Sequence, residues 1–287
     1  MHHPIHASSH ILGCIIPILT SPRLRLHPRS LRPSIICRWD SAPSSTWCRE
    51  SVDTPQGFAY DSILLSGCDV SSLRKGNGAM SEAIHRATQT ITLNDLPRMV
   101  LYQRDLPAAL RHFLSTRDQV LDNETMAQQG FPGSTAERFR AVGRITGYLC
   151  EFAAPAPEGD EIPAGYDLLV ATVVHLFDDP AGVSRWIEEV FVGDFFAHVD
   201  EELHPGQRLL TVERLTPRGF ADEAVGLRVL QSSEPGPVST TIIDFRVGRL
   251  LGVAYVATLG NCERLALVEQ LAHTLERRFV QVALEVR

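Results

Sequence analysis

Residues 238–258 read VSTTIIDFRVGRLLGVAYVAT, and this stretch decides the fold. Two runs rich in β-branched residues, Val238 to Val247 and Arg249 to Thr258, meet at Val247-Gly248-Arg249, as in a tight hairpin. Immediately beyond, Asn261 has the chemistry of a helix cap. Leu265, Val268, Leu271, Ala272, Leu275, Phe279 and Val282 then follow at three- and four-residue spacing, which marks one apolar face of a long helix. Working back toward the N-terminus, Gln207 to Thr216 and Ala224 to Gln231 are strand-like segments separated by Pro217-Arg218-Gly219.

Further upstream the period changes. Asp178-Asp179-Pro180 is a helix start, with Asp179 as the cap and proline at the first helical position. Val183, Trp186, Ile187, Val190, Phe191 and Phe195 place a second apolar face on a helix reaching about Val199. Before it, Tyr166 to Phe177 is apolar at nearly every position, the pattern of a central strand covered on both faces. Arg144 to Ala153 is a further strand, and Ser134-Thr135-Ala136-Glu137 is spelled as a capping box for a short helix ended by Gly143. Asp95-Leu96-Pro97 and Asp105-Leu106-Pro107 form a near-repeat of turns. Helices punctuate runs of hairpin-like strands instead of alternating with single strands. The expected class is therefore α+β, an antiparallel β-sheet covered by helices.

The chain has 287 residues, of which 44% are hydrophobic and 21% charged, a globular composition that excludes collagen-like and wholly disordered chains. Its two parts differ sharply in charge. Residues 1–79 carry a net +3 and residues 80–287 a net −10. Nucleic-acid binding needs a basic footprint, which the larger part lacks, so no nucleic-acid partner is expected. No run approaches the roughly twenty apolar residues of a spanning helix, so no transmembrane segment is expected either.

Residues 1–79 hold seven of the prolines, thirteen serines and four of the six cysteines, without a sustained apolar period. They are expected to be a disordered or non-native leader. Lys75 is the only lysine beside twenty-six arginines. Its codon and the neighbouring glycine codons can together spell a purine-rich ribosome-binding sequence a few codons before Met80. This points to translation starting at Met80, with residues 80–287 a single α+β domain that is cytoplasmic on that reading. The alternative is an exported lipoprotein, because Ile11-Leu12-Gly13-Cys14 and Leu65-Ser66-Gly67-Cys68 are spelled like lipoboxes. Neither follows the basic start and 7–15-residue apolar core that a signal peptide needs.

Asp105-Leu106-Pro107, Gly143-Arg144-Ile145-Thr146-Gly147-Tyr148, Leu176-Phe177-Asp178-Asp179-Pro180-Ala181 and Phe245-Arg246-Val247-Gly248-Arg249 with its closing helix together carry a resemblance. Over about residues 90–285 the chain resembles bacterial sensor-like and lipoprotein domains of the PsbP/Mog1-like type, or the extracellular sensors of PknH-like kinases. The resemblance implies a helix-covered sandwich that binds a small molecule or protein without catalysis. One departure is Ala109, where such domains carry glycine after the Asp-Leu-Pro-x run.

Motifs for common catalysis are missing: there is no G-x-S-x-G elbow, P-loop, G-x-G-x-x-G or H-E-x-x-H sequence. Arg144, Tyr148 and Arg246 are the residues expected to line an anion pocket, arginine supplying a planar two-toothed donor. Tyr148, Trp186 and Tyr255 are expected to line a cleft. His175, set among apolar neighbours, is either a buried base or a satisfied core histidine. The enzyme alternative is a metal-dependent hydrolase built on His198, Asp200, Glu201, Glu202 and His204, residue types that ligate zinc. The third reading is a structural protein acting as a homodimer. No cofactor is implied.

Overall fold

The computed structural model describes residues 82–155, 162–233 and 236–285. The expected leader, the start at Met80, both lipobox-like tetrapeptides and most of the loop after Pro155 lie outside the described residues.

Eight strands form one sheet in the order β1-β2-β3-β8-β7-β6-β5-β4. They are β1 (Leu114–Val120), β2 (Arg144–Ala153), β3 (Asp167–Phe177), β4 (Glu202–His204), β5 (Gln207–Leu215), β6 (Ala224–Gln231), β7 (Val238–Val247) and β8 (Leu250–Leu259). Every pairing is antiparallel. The order follows from two meanders, β1-β2-β3 and β4 through β8, joined where β3 meets β8. That junction buries β3 and β8 at the centre, which is why the two strands are apolar at most positions.

The β7–β8 hairpin closes through Gly248-Arg249, with Val247 opposite Leu250. Gly248 has φ of +56° while Arg249 keeps a negative φ, the pattern of a type II′ turn with glycine at its first central position.

Each face of the sheet carries its own apolar core. One face is covered by α2 (Asn123–Gln128), α3 (Ala136–Ala141), α4 (Pro180–Arg185), a π-helical segment (Trp186–Val192) and α5 (Gly193–Ala197). Met126, Phe139, Val183, Trp186, Phe191 and Phe195 descend from these helices onto Leu149, Val173, Leu251 and Tyr255. The other face is covered by α6 (Leu265–Glu285), by α1 (residues 82–88) and by three short 3₁₀ turns between Leu96 and Leu110. Side chains on successive strand residues point to opposite faces. Leu149 therefore joins the first core while Cys150 and Phe152 join the second. Burying an average aliphatic side chain in such a core contributes about 1.5–3 kcal/mol. Among the described residues no helix is long and apolar enough to cross a membrane.

Three local expectations need correction. The N-cap of α3 is Thr135, not Ser134: its Oγ1 accepts from the Arg138 N–H, and Glu137 turns away to pair with Arg140 at 3.7 Å. Asn261 does not cap α6, which begins at Leu265. Strand hydroxyls hold the intervening residues outside the helix. Ser239 Oγ accepts from the Cys262 N–H at 3.0 Å and donates to the Cys262 carbonyl at 2.7 Å, and Thr241 Oγ1 accepts from the Arg264 N–H at 3.0 Å. With those groups satisfied by the sheet, the first helical carbonyl is that of Arg264, which accepts from Val268. The helix expected to reach Val199 ends at Ala197 and passes through π winding on the way.

Candidate functional site

Arg144 is almost fully buried and does not line an open pocket. It leaves β2 toward the α2–α5 face. Its Nη1 donates to Asn123 Oδ1 at 2.6 Å, its Nη2 to the Leu121 carbonyl at 2.6 Å, and its Nε to His175 Nδ1 at 3.1 Å. The guanidinium also lies 5.7 Å from the Trp186 ring centroid, a cation–π distance. His175 is thereby a satisfied core histidine: it accepts at Nδ1, and burial, followed by the Arg144 charge, holds its pKa well below the usual imidazole value. Arg144 and Trp186 are brought together as packing.

Tyr148 faces the α6 side of the sheet, where burial and a hydrogen bond to Asp118 push its hydroxyl up to about 12. Trp186 and Tyr255 belong to the opposite face. The sheet therefore separates Tyr148 from the other two, because Tyr148 of β2 points to the α6 face while Tyr255 of β8 points to the face that Trp186 covers. Tyr255 packs beside a half-sunken pair in which Arg117 reaches Glu151, whose carboxyl also accepts from Thr116 Oγ1 at 2.8 Å. Arg246 lies 3.6 Å from Asp222 and 3.5 Å from Glu223, an acidic pair it partly neutralises.

The five residues of the metal alternative follow α5 without converging. His198 stacks on Phe131 at 4.7 Å, and its Nδ1 meets the Asp194 carbonyl at 2.8 Å. Glu201 is 3.9 Å from His198 Nε2. Asp200 adopts φ of +67° and gives its carbonyl to Arg208. Glu202 accepts from the Gly206 N–H across the β4–β5 turn, and burial lowers the pKa of His204. Among the described residues no group of three or more His, Cys, Asp or Glu is arranged to hold a metal ion.

A cavity of about 270 Å³ lies elsewhere, between α1 and α6. Ile84, Val247 and Val280 give it apolar walls, with Ala221 at its rim, while His85, Asp222 and Arg277 bring polar groups to it. His85 Nε2 is 2.8 Å from Asp222 Oδ2, and the same carboxylate accepts from the Gly248 N–H at 3.2 Å. The loop carrying Ala221 and Asp222 is fixed from both sides. Glu276 of α6 accepts from the Ala221 N–H at 3.0 Å, and Phe220 is stacked between His273 at 4.3 Å and Phe245 at 5.3 Å.

None of these cavity residues other than Val247 figured in the sequence reading. His85 and Asp222 are 137 positions apart and meet only because the β7–β8 turn brings both to one end of the sheet. The local signal was Ile84, Ala87 and Ile91 at helical spacing, with His85 beside it.

No family model matches the chain, and no curated protein matches it. Among solved structures the chain is similar to the extracellular domain of PknH from Mycobacterium tuberculosis, at a TM-score of 0.44 and 9% identity, over 68% of this chain and 97% of that one. A likeness that loose carries no functional inference, which rests instead on the cavity between α1 and α6.

Proposed function

We propose that the protein is a non-catalytic binding module whose ligand is a small, largely apolar molecule with one hydrogen-bonding head group. The observation carrying this reading is the cavity between α1 and α6. Its walls are apolar, and a few polar groups stand at one place, the arrangement that gives small-molecule sites their affinity and orientation. The His85–Asp222 pair is held by the Gly248 amide and shares the cavity lining with Arg277, so it can exchange hydrogen bonds with a head group at little reorganisation cost. A metal-dependent hydrolase on His198 and His204 has less support, because His198 is stacked on Phe131 and bonded to the Asp194 carbonyl, and among the described residues no group of three or more ligand side chains converges there.

The test is a screen of small amphipathic compounds by ligand-observed NMR on the full chain, repeated on Ala221→Trp. Ala221 is exposed and contributes only its N–H to Glu276, which tryptophan keeps. The indole fills the cavity, and hits should lose at least about tenfold in affinity, the equivalent of about 1.4 kcal/mol. Hits that bind Ala221→Trp unchanged would place the site elsewhere.

A further inference from the structure

A second cavity, of about 230 Å³, lies on the other flank of α6. Three guanidinium groups, those of Arg98, Arg104 and Arg278, line it together with the ring of Tyr102. Tyr102 is fixed at its backbone and at its tip: its N–H donates to Asp105 Oδ2 at 2.9 Å, and its hydroxyl donates to the Pro97 carbonyl at 3.1 Å. Arg104 and Arg278 lie 5.4 and 5.6 Å from the centroid of that ring, so one aromatic group orients two cations.

Two of the arginines are further anchored by carboxylates. Arg278 Nη2 is 2.7 Å from Asp105, and Arg98 Nη2 is 2.5 Å from Glu285, whose other oxygen accepts from Gln281 at 3.0 Å. Each anchor occupies part of a five-donor fork and leaves N–H groups over. Arg104 has the ring and no carboxylate among the described residues. The three guanidiniums thus outnumber the two carboxylates that anchor them, Asp105 and Glu285, within residues 80–287 whose net charge is −10. An acidic protein that gathers arginines around one concavity concentrates anions there against its overall field.

We propose that this cavity binds a small oxyanion of the phosphate or phosphomonoester class, gripped by Arg98, Arg104 and Arg278, with Tyr102 holding the last two in orientation. Planar guanidinium forks match the geometry of such an oxyanion, and two pre-anchored side chains lower the ordering cost of binding. The site is separate from the cavity between α1 and α6 and stands whether or not that cavity is occupied.

The test is calorimetric titration of the full chain with inorganic phosphate at low ionic strength, with glycerol phosphate in parallel to separate the free anion from its monoester. Saturable binding is expected, weakened at least about tenfold in Arg104→Ala, the loss of one charge-assisted contact. Arg104→Lys should fall between, since it keeps the charge but loses the fork and the stacking. Arg104 is exposed and, among the described residues, stacks on Tyr102 without a side-chain hydrogen bond or ion pair, so the unliganded melting temperature of both variants should match the parent. Absence of saturable binding at millimolar phosphate, or equal binding by the parent and Arg104→Ala, would overturn the proposal.

Discussion

Asp244 sits in the middle of β7 with no exposed surface, and neither carboxyl oxygen has a hydrogen-bond partner. It projects toward the α2–α5 face between Val225 and Val253. Burial raises its pKa well above the ordinary carboxyl value, because the charged form loses its water without gaining a partner. In the unfolded chain the same group titrates near about 3.9. The folded state therefore holds a proton that the unfolded state releases between the two values. This contribution to stability is complete below the unfolded pKa and falls by up to about 1.4 kcal/mol per pH unit as pH rises toward the folded pKa. Asp244→Leu removes both the unpartnered carboxyl and the proton linkage. It should stabilise the fold at neutral pH by roughly 1–3 kcal/mol, with a gain larger at pH 8 than at pH 5. Urea unfolding at the two pH values checks this, and parallel profiles for parent and variant would remove the premise. Asp244 was visible in the sequence only as one acid inside a β-branched run. Nothing local distinguishes an acid facing water from one facing a core, since that depends on which helices close over the strand.

The hairpin of β7 and β8 and the helix that follows show how far the elements were legible. Strand and helix periods are local, so β2, β3, β5 through β8 and the apolar face of α6 all stood in the sequence within a residue or two. The short exposed strand β1 was not legible, because its residues Leu114 to Val120 alternate poorly and are held only by pairing with β2. Caps were misplaced for a related reason: Asn261 was a sound local candidate, but Ser239 and Thr241 on a distant strand took over its role. Gly252 shows the same dependence on a neighbour. A Cβ placed there would lie 2.2 Å from Phe245 Cζ on the paired strand, and that ring is held between Phe220 and Phe279. The ring has no direction in which to retreat. Gly252→Ala should therefore lower stability by roughly 1–3 kcal/mol, the usual cost of overpacking a filled core. Thermal unfolding measures it, and Gly252→Ala combined with Phe245→Leu should recover part of the loss, whereas a simple loss of strand flexibility would not be rescued.

At the scale of the molecule, the sheet and the layer of α1 and α6 are joined at the β7–β8 turn, and Arg249 makes the joint. Its Nε donates to the Thr88 carbonyl at 2.9 Å, its Nη1 to the Phe177 carbonyl at 3.1 Å, and its Nη2 to the carbonyls of Gln89 at 3.2 Å and Ile91 at 2.8 Å. One side chain thus ties the end of β3 to the segment leaving α1, and α1 forms one wall of the larger cavity. The sequence could mark Gly248-Arg249 as a turn, but the acceptors lie 72 to 161 positions away and carry no local signature. The same holds for the cavity itself, whose parts come from α1, the loop before β6, the β7–β8 turn and α6. Removing the guanidinium leaves the sheet ladder untouched, because the backbone pairing of Val247 with Leu250 does not use it. The effect of Arg249→Ala should therefore be local. Amides of residues 82–91 should exchange with solvent at least about tenfold faster, an opening made easier by about 1.4 kcal/mol or more, while core amides of β3 and β8 keep their protection. Any ligand of the α1–α6 cavity should weaken in step, since its site must first be reordered. Hydrogen exchange resolved along the chain decides the matter: uniform loss of protection would make Arg249 a determinant of global stability, and unchanged exchange in residues 82–91 would show that α1 is held without it, by its apolar contacts and the His85–Asp222 pair.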